Sequence, residues 1–385
     1  MIALLALLLV QEPAKEPVKP ETVSKGGAWS VAIRPKSELS WTDNVFNLDG
    51  GDKDRRDEER ASDAASGRFA DMESNEDFLV AGSVRLQAKG PSPFGRRLEL
   101  EAEAGYVHYV QNPARSHAIL GTKAVQPAGA GRLSLSLEFA PLTFNKNYLA
   151  DATDLTGNVS SSERIYEPGN YREFAVELEY RHPLWTGEAE FDGVAGLWLR
   201  DRTYESPFRG RNEDGLGLRL GVVAEVRKTV EAGLRYKLEA VACPTEDEVQ
   251  VLDETLLGAV LNGDGDAIDT DARAVEAVDR SRLEHSLKLG VVVRAIEPIE
   301  IEIAVERTWK EYSSAEAFDV DHRNRSDVKD EITFDVKVAL GRGWDARVGY
   351  EWSGQATDRP ADPESTGETS DYRRQTVWIA VSAKW

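Results

Sequence analysis

The segment TVWIAVSAKW, residues 376–385, sets Val377, Ile379, Val381, Ala383 and Trp385 against Thr376, Trp378, Ala380, Ser382 and Lys384. Successive side chains of a strand point to opposite faces, so the segment reads as a strand with one greasy face. An apolar face must be covered. Whether protein or hydrocarbon covers it decides the fold.

The same period of two recurs upstream. Leu98, Leu100, Ala102, Ala104 and Tyr106 alternate with Glu99, Glu101, Glu103 and Gly105, and Leu133, Leu135, Leu137 and Phe139 with Ser134, Ser136 and Glu138. A helix would scatter those glutamates around its circumference and bury some of them. Strands are expected over residues 28–46, 77–89, 97–111, 116–126, 132–147, 171–182, 188–203, 214–227, 230–242, 281–295, 298–312, 331–341, 344–356 and 371–385. The fourth, SHAILGTKAVQ, alternates least, so fourteen strands are expected and twelve remain open.

Composition removes several alternatives. Apolar residues make up 41% of the 385 and mean hydropathy is −0.45. No run beyond the N-terminal segment approaches the roughly 20 apolar residues of a spanning helix. With 47 Lys and Arg against 68 Asp and Glu, the formal charge is −21, the opposite of a phosphate-binding footprint, so no nucleic-acid partner is expected. Cys243 is the sole cysteine, which excludes an internal disulfide framework and cysteine-built zinc or iron–sulfur sites. Residues 1–10, MIALLALLLV, read as a signal-like apolar segment without a basic start or a small-x-small cleavage site. Residues 11–27 read as a Pro, Glu and Lys-rich flexible spacer, and residues 28–385 as one domain of strands.

The connections alternate too. Tight links such as GPSPFGR, Lys228-Thr229, Glu297-Pro298 and Gly341 to Gly343 take turns with long acidic stretches: residues 47–76, 243–280 and 357–370. Nothing in a soluble two-layer sandwich sends long loops to one end and short turns to the other, whereas a transmembrane barrel does so routinely. In lipid every backbone polar group must pair within the protein, so a sheet spans only by closing on itself.

These features resemble the bacterial outer-membrane β-barrel proteins, whose last strand ends in an aromatic residue preceded by alternate apolar positions. The segment LSWTDNVFNLD, residues 39–49, is similar to the aromatic-x-Asp-Asn-Val start of porin-like barrels. The resemblance implies an all-β, transmembrane, antiparallel up-and-down barrel in the outer membrane, with both termini periplasmic. It also implies that Val377, Ile379, Val381, Ala383 and Trp385 form the strand read by the barrel-assembly machinery, and that lipid and lipopolysaccharide surround the wall. Trp29, Trp41, Trp309, Trp344, Trp352 and Trp385 lie near strand ends on the apolar parity, as an interfacial girdle requires; any strand also favours Trp.

With the apolar parity outward, the lumen receives Arg34, Lys36, Arg85, Glu99, Glu101, Glu103, Glu177, Glu179, Arg219, Arg235, Lys237, Glu239, Lys288, Arg294, Glu300, Glu302, Asp335, Lys337, Asp345 and Arg347. A charge facing lipid at the midplane would cost about 2–4 kcal/mol, so these residues fix the register. Arg85 beside Glu99 to Glu103, and Lys288 and Arg294 beside Glu300 and Glu302, suggest cross-strand pairs. Such pairs either only brace the wall or also set a transverse field in a pore lined by the same residues.

Between Cys243 and Arg280 the sequence carries eleven acidic residues and two arginines. Residues 245–264 read as a helix, with Thr245 and Glu248 as a capping box and Val249, Leu252, Leu256 and Val260 on one face. Asn262, Asp264, Asp266 and Asp269 are weak candidates for a divalent cation such as calcium; their spacing departs from the EF-hand pattern. No other cofactor is expected. His322 beside Asp319 and Asp321 is the one cluster compatible with rim catalysis, and no nucleophile elbow or phosphate loop occurs, so no enzyme is expected. The functional expectation is a porin-like channel for small hydrophilic solutes or ions. The alternatives are an assembly or export barrel for lipoproteins or polysaccharide, and a structural surface protein.

Overall fold

The computed structural model describes residues 29–48, 50–61, 69, 71–92, 97–149, 166–205, 211–226, 229–243, 280–313, 325–358 and 371–384. Fourteen antiparallel strands close on themselves: β1 (Ser30–Thr42), β2 (Asp77–Pro91), β3 (Arg97–Tyr109), β4 (His117–Ala128), β5 (Gly131–Leu149), β6 (Tyr166–Trp185), β7 (Ala189–Tyr204), β8 (Glu213–Val226), β9 (Val230–Ala242), β10 (Arg282–Ile296), β11 (Ile299–Tyr312), β12 (Ser326–Gly341), β13 (Trp344–Asp358) and β14 (Tyr372–Ala383). Each strand pairs with its sequence neighbours, and β14 closes on β1 from Lys36↔Ser382 to Thr42↔Thr376. The alternative of twelve strands is therefore excluded. The weakly alternating fourth segment pairs with both neighbours, Glu99↔Val125 on one side and Leu120↔Phe139 on the other.

The wall faces two solvents. Outward positions on β8 are Leu216, Leu218, Leu220, Val222, Ala224 and Val226, and all the large ones are exposed. At the tilt derived below they span about 25 Å along the barrel axis, the height of an outer-membrane apolar band. Trp29, Trp185 and Trp344 mark the belt at one end, while Trp41, Trp309 and Trp352 lie toward the other, all on the outward parity. Carried once around the barrel, the Cα pairing returns to β1 displaced by about 16 residues, giving a strand tilt of about 38° and a backbone radius of about 13–14 Å.

Links after even-numbered strands are short, and those after odd-numbered strands include every long stretch. The two ends are called the turn end and the loop end below; Ser30 and Ala383 both lie at the turn end. At the β12–β13 turn, Gly341, Arg342 and Gly343 all have positive φ. Glycine adopts that conformation without a steric penalty, and here it lets the chain reverse within two residues.

One element departs from expectation. Residues 50–61, GGDKDRRDEERA, form a helix, α1, where the sequence reads only as an acidic loop. It carries no apolar stripe to announce it; Asp54 in its first turn suits the helix dipole, and Arg56 donates to the neighbouring Asp57 at 3.0 Å. The helix expected over 245–264, the candidate cation residues from Asn262 to Asp269, His322, Trp385 and the N-terminal segments 1–10 and 11–27 all lie outside the described residues.

Candidate functional site

The inner face is built in two tiers. From mid-height to the turn end, charged side chains stand in opposite-sign contacts, most of them partly exposed, with Glu177 and Asp335 buried. Arg85 donates to Glu103 at 2.7 and 2.9 Å and lies 4.0 Å from Glu101; Lys89 meets Glu99 at 2.6 Å. Arg294 reaches Glu300 at 2.8 Å and Glu231 at 3.2 Å, and Arg347 bridges Asp335 at 2.6 Å and Glu302 at 3.7 Å. Arg219 contacts Glu177 and lies 3.7 Å from Glu179. Lys288 pairs with Glu306 at 3.8 Å, because the register sets those two residues opposite each other, not with Glu300 or Glu302 as its position in the sequence suggests. Exposure of the Lys36 and Glu302 side chains, 28% and 25%, leaves this tier open to water.

Toward the loop end the wall from β6 to β14 carries a buried ionic belt. Glu173 accepts from Arg202 at 2.8 Å; Arg202 lies 3.4 Å from Glu213, which also accepts from Arg282 at 3.1 Å. Arg282 donates to Glu284 at 2.7 Å, and Lys310 lies 4.0 Å further on. Glu213 has four arginines, Arg200, Arg202, Arg280 and Arg282, within 3.9 Å and is 2% exposed. Arg325–Asp327, Lys329–Glu331 and Arg374–Glu351 continue the belt. Tyr171 and Tyr312 interleave with it, stacking on Arg202 and Arg325 at 4.7 and 4.9 Å. Buried charges persist only when paired on most sides, and this belt supplies that pairing.

The opposite wall is narrowed by the chain itself. Immediately after β1, residues 43–48 turn into the lumen. Val45 packs on Val107, Tyr109 and Ile119, inward residues of β3 and β4, and Phe46 meets Phe144 of β5 edge-on at 6.2 Å. Arg115 holds this segment, donating to the Val45 carbonyl at 2.8 Å with its guanidinium over Phe46 and Tyr109. Asn44, wholly buried, donates to the carbonyls of Leu48 and Arg373, and Asp43 accepts from the Gln375 amide at 2.7 Å. The Asp-Asn-Val of residues 43–45 is thus a clamp between the first loop and the last strand. Leu48, Phe69 and Met72 cover its far side. The loop end of the lumen therefore has one apolar wall and one ionic wall.

Every inward charge named from the sequence, from Arg34 on β1 to Arg347 on β13, sits on the inner face. The sequence did not single out the buried belt around Glu213, whose members are ordinary inward charges until the register brings them together. Nor did it mark Arg115, which lies in a connection. Val377, Ile379 and Val381 face outward on β14, with Ala383 at its end. His108, His182 and His285 are on the outer parity, His182 and His285 beside Tyr180 and Tyr236 at 3.3 and 2.6 Å; His117 points inward. Among the described residues no group of three His, Cys, Asp or Glu could hold a metal. Cys243 sits just beyond β9, where burial, reinforced by Glu213, pushes its thiol pKa up.

No family model matches the chain, and no curated protein matches it in sequence. Solved structures do resemble it. The outer-membrane channel DcaP of Acinetobacter baumannii aligns over 94% of this chain and 99% of its own with a TM-score of 0.46 at 8% identity. The fold of this chain, a closed fourteen-strand antiparallel β-barrel, stands on its own strand pairing. An anion-selective porin from Comamonas acidovorans covers 93% of the barrel and 100% of its own chain, with a TM-score of 0.38 and 8% identity. OmpT of Vibrio cholerae, folded in vitro, covers 95% and 100%, with a TM-score of 0.40 and 10% identity.

Proposed function

We propose that this barrel is a passive diffusion channel for small hydrophilic solutes in the bacterial outer membrane, with the turn end and both termini periplasmic. The supporting observation is the inner face: a radius of about 13–14 Å leaves a lumen after side chains are placed, and that lumen is lined by partly exposed charges of both signs. A barrel meant only as a wall has no need of hydrated charge rows such as Arg85–Glu103 and Arg294–Glu300. The segment around Val45 and Phe46 sets the aperture at the loop end. The apolar parity of β14 is the strand offered to the assembly machinery, and lipid and lipopolysaccharide contact the outer belt.

One observation favours a second reading. The belt around Glu213 is so dry that the loop end can also be read as closed, which suits an export or structural barrel. Planar-bilayer recording of the purified chain separates the two. The channel reading predicts stepwise insertion events with ohmic conductance in potassium chloride; insertion without current would overturn it.

A further inference from the structure

The outward face of the wall carries a furrow between β6 and β10, with a volume of about 460 Å³. Its floor is on β7, where Gly193 and Ala195 are the outward residues between the exposed Phe191 and Leu197. Leu184 leans over this floor from β6, since a Cβ at Gly193 would lie 3.3 Å from Leu184 Cδ1. Leu220 faces Ala195 from β8, and the depression continues over β9 to Leu287 of β10. Across strands about 4.8 Å apart its length is about 19 Å, more than the roughly 15 Å that the chains of one leaflet fill.

Polar side chains stand at one end of the furrow. Tyr180 Oη donates to the Ala128 carbonyl at 3.3 Å and lies 3.3 Å from His182 Nδ1. His182 is exposed and sits three positions before Trp185, at the level of the turn-end aromatic belt. Its Nε2 has no partner among the described residues. Deeper in the apolar band, Tyr236 Oη and His285 Nδ1 satisfy each other at 2.6 Å. The furrow is therefore apolar along its length, with a polar nitrogen left over only where the hydrocarbon gives way to head groups.

We infer that this furrow is a binding site for one phospholipid of the turn-end leaflet, with an acyl chain laid over Gly193 and Ala195 and its head group at Tyr180 and His182. A chain against a smooth wall is touched from one side and exchanges freely. In the furrow it is touched from below by β7 and from both flanks, by Leu184 and Leu220, and each added atom pair contributes dispersion attraction. A zwitterionic head group offers both an acceptor phosphate and a donor ammonium, so it matches His182 Nε2 in either tautomer. The inference takes from the reading above only that hydrocarbon covers this face; it needs no open channel.

The test places the full chain in liposomes of phosphatidylethanolamine and phosphatidylglycerol that contain a phosphatidylethanolamine with a photoreactive diazirine in its acyl chain. After irradiation, mass spectrometry of the digested protein maps the adducts. They are expected to concentrate on the outward residues of β6 to β10 over those of β12 to β14. Ala195→Phe, which fills the floor, should bring the furrow down to the level of the β12–β14 wall, and His182→Ala should lower its labelling about two- to tenfold. Heat-modifiable gel mobility reports whether each variant is a closed barrel, and Ala195→Phe decides alone should His182→Ala fail to fold. Even labelling of every outward strand, or labelling untouched by Ala195→Phe, would overturn the site, and labelling untouched by His182→Ala would overturn the seat given to the head group. A photoreactive residue at position 220 that crosslinks to a second copy, with the lipid probe excluded, would give the furrow to a dimer and overturn the lipid. Adducts without a period of two along the strands would instead overturn the membrane reading itself.

Discussion

Asn44 donates from Nδ2 to the Arg373 carbonyl at 2.9 Å, so the residue two places beyond β1 is tied to the second residue of β14. The same Nδ2 reaches the Leu48 carbonyl at 2.7 Å, and Oδ1 accepts from the Leu48 amide at 2.9 Å. One side chain thus shapes the inward turn of the first loop and fastens it across the seam where the barrel closes.

Removing that side chain leaves the buried Leu48 amide and carbonyl, and the part-buried Arg373 carbonyl, short of a partner. Asn44→Ala should destabilise the barrel by about 1–3 kcal/mol, seen as a lower temperature for loss of the compact band on a heat-modifiable gel. An unshifted transition would mean that the clamp contributes nothing.

Arg115 holds the inward segment by one hydrogen bond and two ring contacts. Each ring contact is worth about 0.5–1 kcal/mol or more when desolvated. Arg115→Ala should therefore loosen Val45 and Phe46 and raise single-channel conductance. Conductance identical to wild type would move the aperture elsewhere.

Glu213 is the shared counter-ion of the belt. Glu213→Gln leaves Arg202 and Arg282 buried with reduced compensation, a change expected to cost about 3–5 kcal/mol. Glu302→Gln, in the hydrated tier, should cost about 0–1 kcal/mol. Comparable unfolding midpoints for the two variants would show that the belt is wetter than its burial implies.

Cys243 has its thiol pKa raised by burial, so less thiolate is present at neutral pH than for a free cysteine. Alkylation by iodoacetamide should be slow near pH 7 and accelerate only at a pH above that of a model thiol. Rapid labelling at neutral pH would contradict this.

Much of the wall was legible because two solvents impose opposite demands on alternate residues, as in Leu98 to Tyr106. The fourth strand was faint for a reason visible only in the fold: Ile119 is apolar yet inward, since Val45 packs on it, while Ala118, Thr122 and Ala124 give the outer face little grease. Helix α1 has no apolar period to detect. The pairing of Lys288 with Glu306 follows register, which a single strand does not encode. The motif at residues 43–45 is visible in the sequence, but its partners, Arg373 and Gln375, lie at the far end of the sequence, so its role as a clamp appears only once the barrel closes.

The central claim is that hydrocarbon covers one face of this sheet and water the other. Single cysteines placed along β10 from Leu287 to Val292, in a Cys243→Ala background and in liposomes, test it most directly. A fluorophore attached at position 287, 289 or 291 should be quenched by brominated lipid, and the bare cysteines there spared by a membrane-impermeant maleimide, whereas positions 288, 290 and 292 should show the reverse. Labelling without a period of two, or water access at every position, would contradict the account.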